Sequence, residues 1–271
     1  MPSHQTFIVA EMSANHLGDL DRALCIIDAA ATAGADAIKF QTWKHDTMVL
    51  DKAFRLQSGP WAGRLLHDLY REAETPWKWH ERLFQHARDQ GLVAFSSVFD
   101  RPSMDFLEGL DCPMYKISSF EIEDLDLITA AATTGKPVII STGMATPAMI
   151  LAARTRAMAA GCKDLTLLKC TSAYPSPMAS MNLGAMKFLR HPKLPGIQPK
   201  VGVSDHTLGI SLPIAATALG ASMIEKHLTL SRADGGPDAA FSLNPHEFGE
   251  MVRACREASE ACGCNPIEPS H

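Results

Sequence analysis

Three observations predict a (β/α)8 barrel of class α/β. Eight short apolar runs occur along the chain, and seven of them are separated from the next by a segment with helical periodicity. The 271 residues match the length of about 250 residues usual for one such barrel, with little remainder. The C-terminal ends of the runs are strongly polar, which a barrel built only for stability would not need. No Gly-x-Gly-x-x-Gly follows the first run, so a dinucleotide-binding open sheet has little support, and there is no repeat of the solenoid kind.

Phe7 to Glu11 reads as the first strand. A loop, S-A-N-H-L-G-D, then leads to a helix in which Leu20, Ala23, Leu24, Ile27 and Ala30 share one face, with Gly34 as its C-cap. Ala35 to Gln41 gives the second strand and completes a βαβ unit. Between Thr42 and Thr75 the regularity lapses into a long insertion, and ordered insertions of this length tend to be functional. A helix with Thr75 as N-cap and Pro76 at its first position runs to Gly91, followed by the third strand at Val93 to Val98. The alternation then continues. Strands are expected at Met114 to Ile117, Pro137 to Ser141 and Leu165 to Lys169, then from Val201 and up to His227. The intervening helices are expected at Pro102 to Gly109, Leu125 to Thr134, Pro147 to Ala160, Leu183 to Leu189 and Pro213 to Gly220, with a Pro-rich loop before the seventh strand and a last helix from Pro245 to about Ala261. The barrel is thus assigned to residues 1–262 and a short tail to residues 263–271.

Composition narrows the class. Hydrophobic residues make up 46% of the chain and charged ones 20%, enough for a large core and without the signature of disorder. The net charge of −5, with no long basic run, argues against nucleic acid as a partner. No stretch approaches 18 apolar residues and no charged segment precedes the first strand, so no membrane association and a cytoplasmic location are expected. Seven scattered cysteines fit reduced thiols. Cys255, Cys262 and Cys264 with His271 match no common zinc template.

The strand ends carry the candidate chemistry. His206 and His227 each close a short apolar run, and adjacent parallel strands lie roughly 4.8 Å apart, so the two imidazoles could share one divalent ion. Either histidine alone reads as an ordinary hydrogen-bonded strand-end residue; the matched pair is what points to a metal. The period of two places Glu225 on the face of His227. Other strand ends offer Glu11, Lys39 with Gln41, Ser96 with Ser97, Lys116 with Ser118 and Ser119, Ser141 with Thr142, Lys169 with Thr171, and Ser204 with Asp205. Three lysines among hydroxyls in an acidic protein suit an anionic ligand. A Lewis-acid metal beside a phosphate-bearing ligand leaves aldolases, phosphosugar isomerases and condensing enzymes open.

The wording of the segments narrows this further. I-V-A-E-M-S-A-N-H-L-G-D, A-G-A-D-A-I-K-F-Q-T, Y-K-I-S-S-F-E, G-K-P-V-I-I-S-T-G-M-A-T, L-L-K-C-T-S-A-Y-P, V-G-V-S-D-H-T-L-G and I-E-K-H-L-T-L-S-R-A-D-G-G-P-D resemble the sialic acid synthase (N-acetylneuraminate synthase) family in order and spacing, roughly from Ile8 to Arg256. A-Y-P-S-P, R-A-D-G-G-P-D, Y-K-I-S-S-F-E and T-P-W-K-W look most like its pseudaminic acid synthase branch. The resemblance implies condensation of phosphoenolpyruvate with an open-chain acylated aminosugar, giving a nonulosonic acid and phosphate. It implies a divalent ion on His206 and His227, manganese in this family with magnesium or cobalt as alternatives. It implies Lys39, Lys116, Ser119, Ser141 and Ser204 as holders of phosphoenolpyruvate, with Ser97 where the family commonly has threonine. Glu11 and Gln41 match positions near both substrates, and Tyr174 and Asp238 match positions facing the sugar. Glu121 is the candidate for orienting or deprotonating the attacking water, and Glu11 and Glu225 are the other candidate catalytic carboxylates.

Family members usually carry a C-terminal antifreeze-like domain that covers the partner's site in a domain-swapped dimer. The sequence here stops at His271. A homodimer and a separate lid protein are therefore expected, with Trp61 and Arg64 of the insertion as the alternative sugar contacts. The other readings are a catalytically weak barrel subunit or binding module, and another metal-dependent aldolase or 3-deoxy-sugar-acid synthase. The latter should show a second anion site, and no surplus arginine cluster supplies one.

Overall fold

The computed structural model describes residues 5–190 and 198–262. Its eight parallel strands close into a barrel in chain order, each paired with its sequence neighbour and the last with the first. The elements are β1 (Phe7–Glu11), α1 (Leu20–Thr32), β2 (Ala37–Thr42), α2 (His45–Met48), α3 (Leu66–Ala73), α4 (Trp77–Asp89), β3 (Val93–Val98), α5 (Arg101–Glu108) and β4 (Tyr115–Ile117). They continue as α6 (Leu125–Thr133), β5 (Val138–Ser141), α7 (Pro147–Ala159), β6 (Leu165–Lys169), α8 (Met186–Leu189), β7 (Lys200–Asp205), α9 (Ser211–Ala218), β8 (Met223–His227) and α10 (Pro245–Cys262). The predicted (β/α)8 barrel is the observed one.

Local chemistry sets the helix ends. Asp19 accepts from the backbone N–H groups of Asp21 and Arg22 and so starts α1, and Thr146, followed by Pro147, starts α7 in the same way. Gly34, at φ 83°, takes the left-handed turn that ends α1. The main core lies between strands and helices. The outward residues Ile8, Ile38 and Phe40 and the helix residues Ile26, Ile27, Leu83 and Phe84 are all buried there, with the Phe40 and Phe84 rings 5.5 Å apart. Gly202 allows β7 to approach β8, because a Cβ there would lie 2.3 Å from the Met223 carbonyl oxygen and 2.9 Å from Leu168 Cδ2.

Three expectations need correction. Helix α4 begins at Trp77 with Pro76 at the N-cap, one residue later than expected; Thr75 does not cap it, and its hydroxyl instead lies 3.3 Å from Nε2 of the buried His16. The insertion is more regular than its sequence suggested, since it contains α2, α3 and an antiparallel bridge between Arg55 and Leu65. Strand β2 starts at Ala37, two residues late, because the Ala35 N–H is used to close α1 by bonding the Ala30 carbonyl. The Pro-rich loop at 191–197, the tail at 263–271, and with it Cys264 and His271, lie outside the described residues.

Lys226 and Asp205 form a fully buried ion pair on the outer face of the barrel strands. They are register partners on β8 and β7, their side chains are fully buried, and Lys226 Nζ lies 2.6 Å from Asp205 Oδ2 while also donating to the Thr207 carbonyl. Asp205 in turn accepts from the Thr207 N–H at 2.8 Å. The pair faces the helices, directly behind the inward residues Ser204, Glu225 and His227. Losing one partner leaves a buried uncompensated charge. Lys226→Ala should therefore cost about 3–5 kcal/mol in urea unfolding, whereas the joint Lys226→Met and Asp205→Leu change should cost far less. A loss below about 1 kcal/mol in Lys226→Ala would contradict this role.

Candidate active site

Strand alternation turns every second side chain into the barrel, and the registers bring their ends level. Glu11 pairs with Lys39 on one side and with His227 on the other, while Gln41, Ser97 and Lys116 are level on β2, β3 and β4. Lys116 Nζ reaches both carboxylate oxygens of Glu225 at 3.3 Å. Because β4 and β8 are not neighbours, that contact crosses the barrel interior. Lys39 Nζ lies 2.6 Å from Glu11 Oε2 and 3.8 Å from Glu225 Oε2, and donates to Ser97 Oγ at 3.0 Å. Ser204 Oγ donates to Glu225 Oε1 at 2.9 Å, and Gln41 Nε2 donates to Glu11 Oε1 at 2.7 Å and to Ser13 Oγ at 3.0 Å. Two ammonium groups and two carboxylates thus share one water-poor mouth.

Their environments separate the two carboxylates. Burial raises Glu225, but Lys116, Lys39 and the Ser204 hydroxyl outweigh it and hold the group down at about 2. For Glu11, burial and the neighbouring Glu225 charge outweigh Lys39, and the group rises to about 7. Burial works to discharge Lys39, yet Glu11 and Glu225 keep its ammonium above the ordinary lysine value. Lys116 moves down, through burial and the Lys39 charge. Glu225 is the fixed anion and Glu11 the carboxyl that can carry a proton near neutrality. An anionic ligand with its own negative charges is matched by two lysines that still have unused N–H donors.

The two histidines stand side by side at the ends of β7 and β8, with ring centroids 5.3 Å apart. Burial keeps His206 neutral, lowering it to about 4, and burial, reinforced by the neighbouring His206 imidazole and the Lys39 ammonium, lowers His227 well below the ordinary histidine value. Neutral imidazole is the ligand form. His206 Nδ1 lies 3.3 Å from the Thr171 carbonyl, while His227 Nδ1 is buried and has no hydrogen-bond partner among the described residues. An orphaned ring nitrogen beside a second neutral imidazole fits a divalent ion. Glu225, on the same inward face as His227, is hydrogen-bonded to Lys116 and Ser204.

An aromatic wall encloses the pair. The Tyr174 ring is 4.5 Å from His206 and the Phe241 ring 5.0 Å from His227. Trp61, from the insertion, stacks obliquely on Tyr174 at 5.7 Å and donates its Nε1–H to the Pro237 carbonyl at 3.0 Å. Arg64 turns away and pairs with Glu72 of α3. Buried Asp238 accepts from the Ala14 N–H at 3.3 Å, and burial raises it against the pull of Ser13 and Lys39.

On the β4 to β6 side, Ser119 and Ser172 share a hydrogen bond of 2.6 Å, and Ser141 bonds Cys170. Gly143 makes this packing possible, since a Cβ there would sit 2.5 Å from Ser172 Oγ and 2.7 Å from Cys170 Sγ. Glu121 has one buried oxygen without a hydrogen-bond partner among the described residues and is raised to about 7 by burial, against the pull of Lys116. Lys169 does not join the other lysines. Strand alternation faces it away from inward Thr166 and Leu168, and its ammonium bonds the Cys170 carbonyl. Ser13, Asn15, Tyr70, Ser172 and Phe241 were not anticipated. Ser13 and Asn15 lie just past a strand end and were findable by that rule. Tyr70, whose phenol is raised by burial and by Glu121, arrives on the insertion and left no such signal.

Comparison with known proteins agrees with this geometry. The NeuB family model matches residues 26–266. The chain is 45% identical over 259 residues to a pseudaminic acid synthase of Helicobacter pylori, covering 94% of this chain and 75% of that one. It is 41% identical over 267 residues to a pseudaminic acid synthase of Campylobacter jejuni, covering 97% and 77%. The crystal structure of an N-acetylneuraminic acid (sialic acid) synthetase from Leptospira borgpetersenii in complex with citrate superposes with a TM-score of 0.88 at 32% identity, covering 98% of this chain and 87% of that one. With a family model spanning most of its length and relatives above 40% identity across nearly all of it, the chain belongs to the NeuB family.

Proposed function

We propose that this protein is a nonulosonic acid synthase of the pseudaminic type, joining phosphoenolpyruvate to an open-chain acylated aminosugar and releasing phosphate. The observation that carries the reading is the buried Lys39, Glu225 and Lys116 cluster beneath two neutral histidines. The names of the relatives support the product class. Lys39 and Lys116, with Ser97, Ser119, Ser141 and Ser204, hold the carboxylate and phosphate. Gln41 and Asp238 orient the sugar, and Tyr174 with Trp61 forms the wall against which it lies. A divalent ion on His206 and His227, manganese for preference, would supply Lewis-acid polarisation of a carbonyl oxygen.

The reaction forms one carbon–carbon bond, from the methylene carbon of phosphoenolpyruvate to the aldehyde carbon of the sugar. The aldehyde oxygen takes up a proton, for which Glu11 near 7 is the suited donor. The adjoining enol carbon becomes electron-poor and accepts water. Glu121, also near 7, takes the proton released by that water. Cleavage of the bond from this carbon to the phosphate oxygen then gives the acid and phosphate. Glu225 stays ionised throughout and keeps both lysines in place.

Three outcomes test the assignment. Substituting His227→Ala should weaken manganese binding at least tenfold, measured by paramagnetic resonance of free manganese, with the circular dichroism spectrum unchanged; full affinity would remove the histidine pair from metal binding. Lys39→Ala and Lys116→Ala should each weaken phosphoenolpyruvate binding by about 1.5–3 kcal/mol in calorimetry, the scale of a charge-assisted bond, and unchanged affinity in both would move the anion elsewhere. Glu121 gives a stability signature as well. Its folded carboxyl stays protonated up to about 7, whereas the unfolded one ionises near 4.5, so its contribution falls as pH rises through that window. Glu121→Gln should therefore abolish turnover yet raise stability at pH 8 relative to pH 4.5 by about 3 kcal/mol in urea unfolding. Wild-type turnover in that variant would dismiss the proton role.

A further inference from the structure

The insertion between β2 and α4 gathers a second set of ligating side chains, outside the barrel mouth. His45 and Asp46 start α2, and His67 lies in the first turn of α3. One ligand atom from each of the three lies within 4.8 Å of the others. His67 Nε2 is 3.3 Å from Asp46 Oδ1, and His45 Nε2 is 3.7 Å from Asp46 Oδ2. The two imidazole rings stand edge to face at 5.1 Å.

An independent feature supports this set. Glu74 accepts from His45 Nδ1 at 2.6 Å and from the His45 backbone N–H at 2.9 Å, and is itself anchored by Lys44 at 3.0 Å. The carboxylate on the Nδ1 side sets the ring so that Nε2 is the nitrogen facing Asp46. This carboxylate–histidine arrangement is the one that orients imidazoles toward metals. The side chains of His45 and His67 are 27% and 13% exposed, so their rings are already partly ordered. Lys52 Nζ contacts Asp46 Oδ1 at 2.5 Å, but its side chain is 61% exposed and can move into water.

We propose that His45, Asp46 and His67 form a binding site for a first-row divalent transition ion of the zinc class. Two imidazole nitrogens and one carboxylate are a donor set for zinc, cobalt or nickel rather than for magnesium or calcium. In a tetrahedral zinc site, ligand atoms stand about 3.3 Å apart, so the three need only draw together modestly, with water at the fourth position. Asp46 and Glu74 balance the ion's charge. The consequence concerns the loop between the ligands. Residues 49–65 leave and return through this point, bridge at Arg55 and Leu65, and carry Trp61 to the Pro237 carbonyl and the Tyr174 ring. An ion here clamps the base of the loop whose tip walls the site, lowering the entropy cost of holding Trp61 in place.

The test uses the full chain with His206→Ala and His227→Ala together, so that the barrel-mouth pair cannot contribute, and cobalt or zinc alone as the probe. One cobalt per chain should bind, with visible d–d absorption, and zinc should slow amide exchange in residues 49–65. His67→Ala and, separately, Asp46→Asn in that background should each weaken binding at least tenfold. Asp46 is the more exposed of the two, so its variant tests the site should His67→Ala fail to fold. Lys52→Ala, which removes a competitor, should tighten it. A folded background protein that retains no cobalt, or affinity unaffected by both ligand substitutions, would reduce the cluster to an ion-pair network of the insertion. Neither result depends on phosphoenolpyruvate or turnover, so each stands apart from the fate of the proposed synthase reaction.

Discussion

The interior contact between Lys116 and Glu225 is the interaction on which the rest of the site depends. Charges in a barrel mouth are costly unless each is compensated, and for Lys116 that compensation comes from across the barrel, while Lys39 is met by Glu11 on the neighbouring strand. Glu225 must stay ionised for Lys39 and Lys116 to remain in place, and the Ser204 hydroxyl supports that state. One consequence is the unequal treatment of Glu11. Burial raises its carboxyl, the neighbouring Glu225 charge adds to that, and together they outweigh Lys39, so Glu11 titrates at about 7 and can carry a proton near neutral pH. A single buried anion thus organises both the lysines and the acid.

The same two strands carry a second buried pair facing outward. Lys226 and Asp205 sit behind His227 and His206, one residue removed in each strand, so the strand ends are pinned from the helix side while their inward residues face the mouth. The histidines are thereby positioned by the fold and not by each other. Buried, and held below the ordinary histidine range, they stay in the neutral form in which imidazole can act as a ligand.

The insertion completes the enclosure. Its Trp61 reaches Tyr174, and its Tyr70 approaches Glu121, so both sides of the mouth receive an aromatic side chain from one segment. Among the described residues no helix is long and apolar enough to cross a membrane. Clamping the base of this segment by His45, Asp46 and His67 would act on the wall without touching the barrel.

Strand order and strand ends were legible in the sequence because their physics is local. Apolar runs, glycine and proline at helix ends, and polar residues just past each run are set by residues within a few positions of one another. Lys39, Gln41, Ser97, Lys116, Ser204, Glu225 and the histidine pair were all findable by that rule. Their partnerships were not. That Lys116 meets Glu225 while Lys169 turns away depends on the closure and shear of the barrel, and that Glu11 is raised while Glu225 is lowered depends on which lysines reach each. The insertion had no period to read, so its two short helices, the turn of Trp61 toward Tyr174 and the meeting of His45 with His67 came only from tertiary packing. Sequence alone determined most of the strand-end groups that stand at the mouth, though not that Lys169 leaves it or that Tyr70 and Phe241 join it. The folded barrel decided which of them share a charge, because that is a matter of distances across a closed ring, and no local pattern encodes such distances.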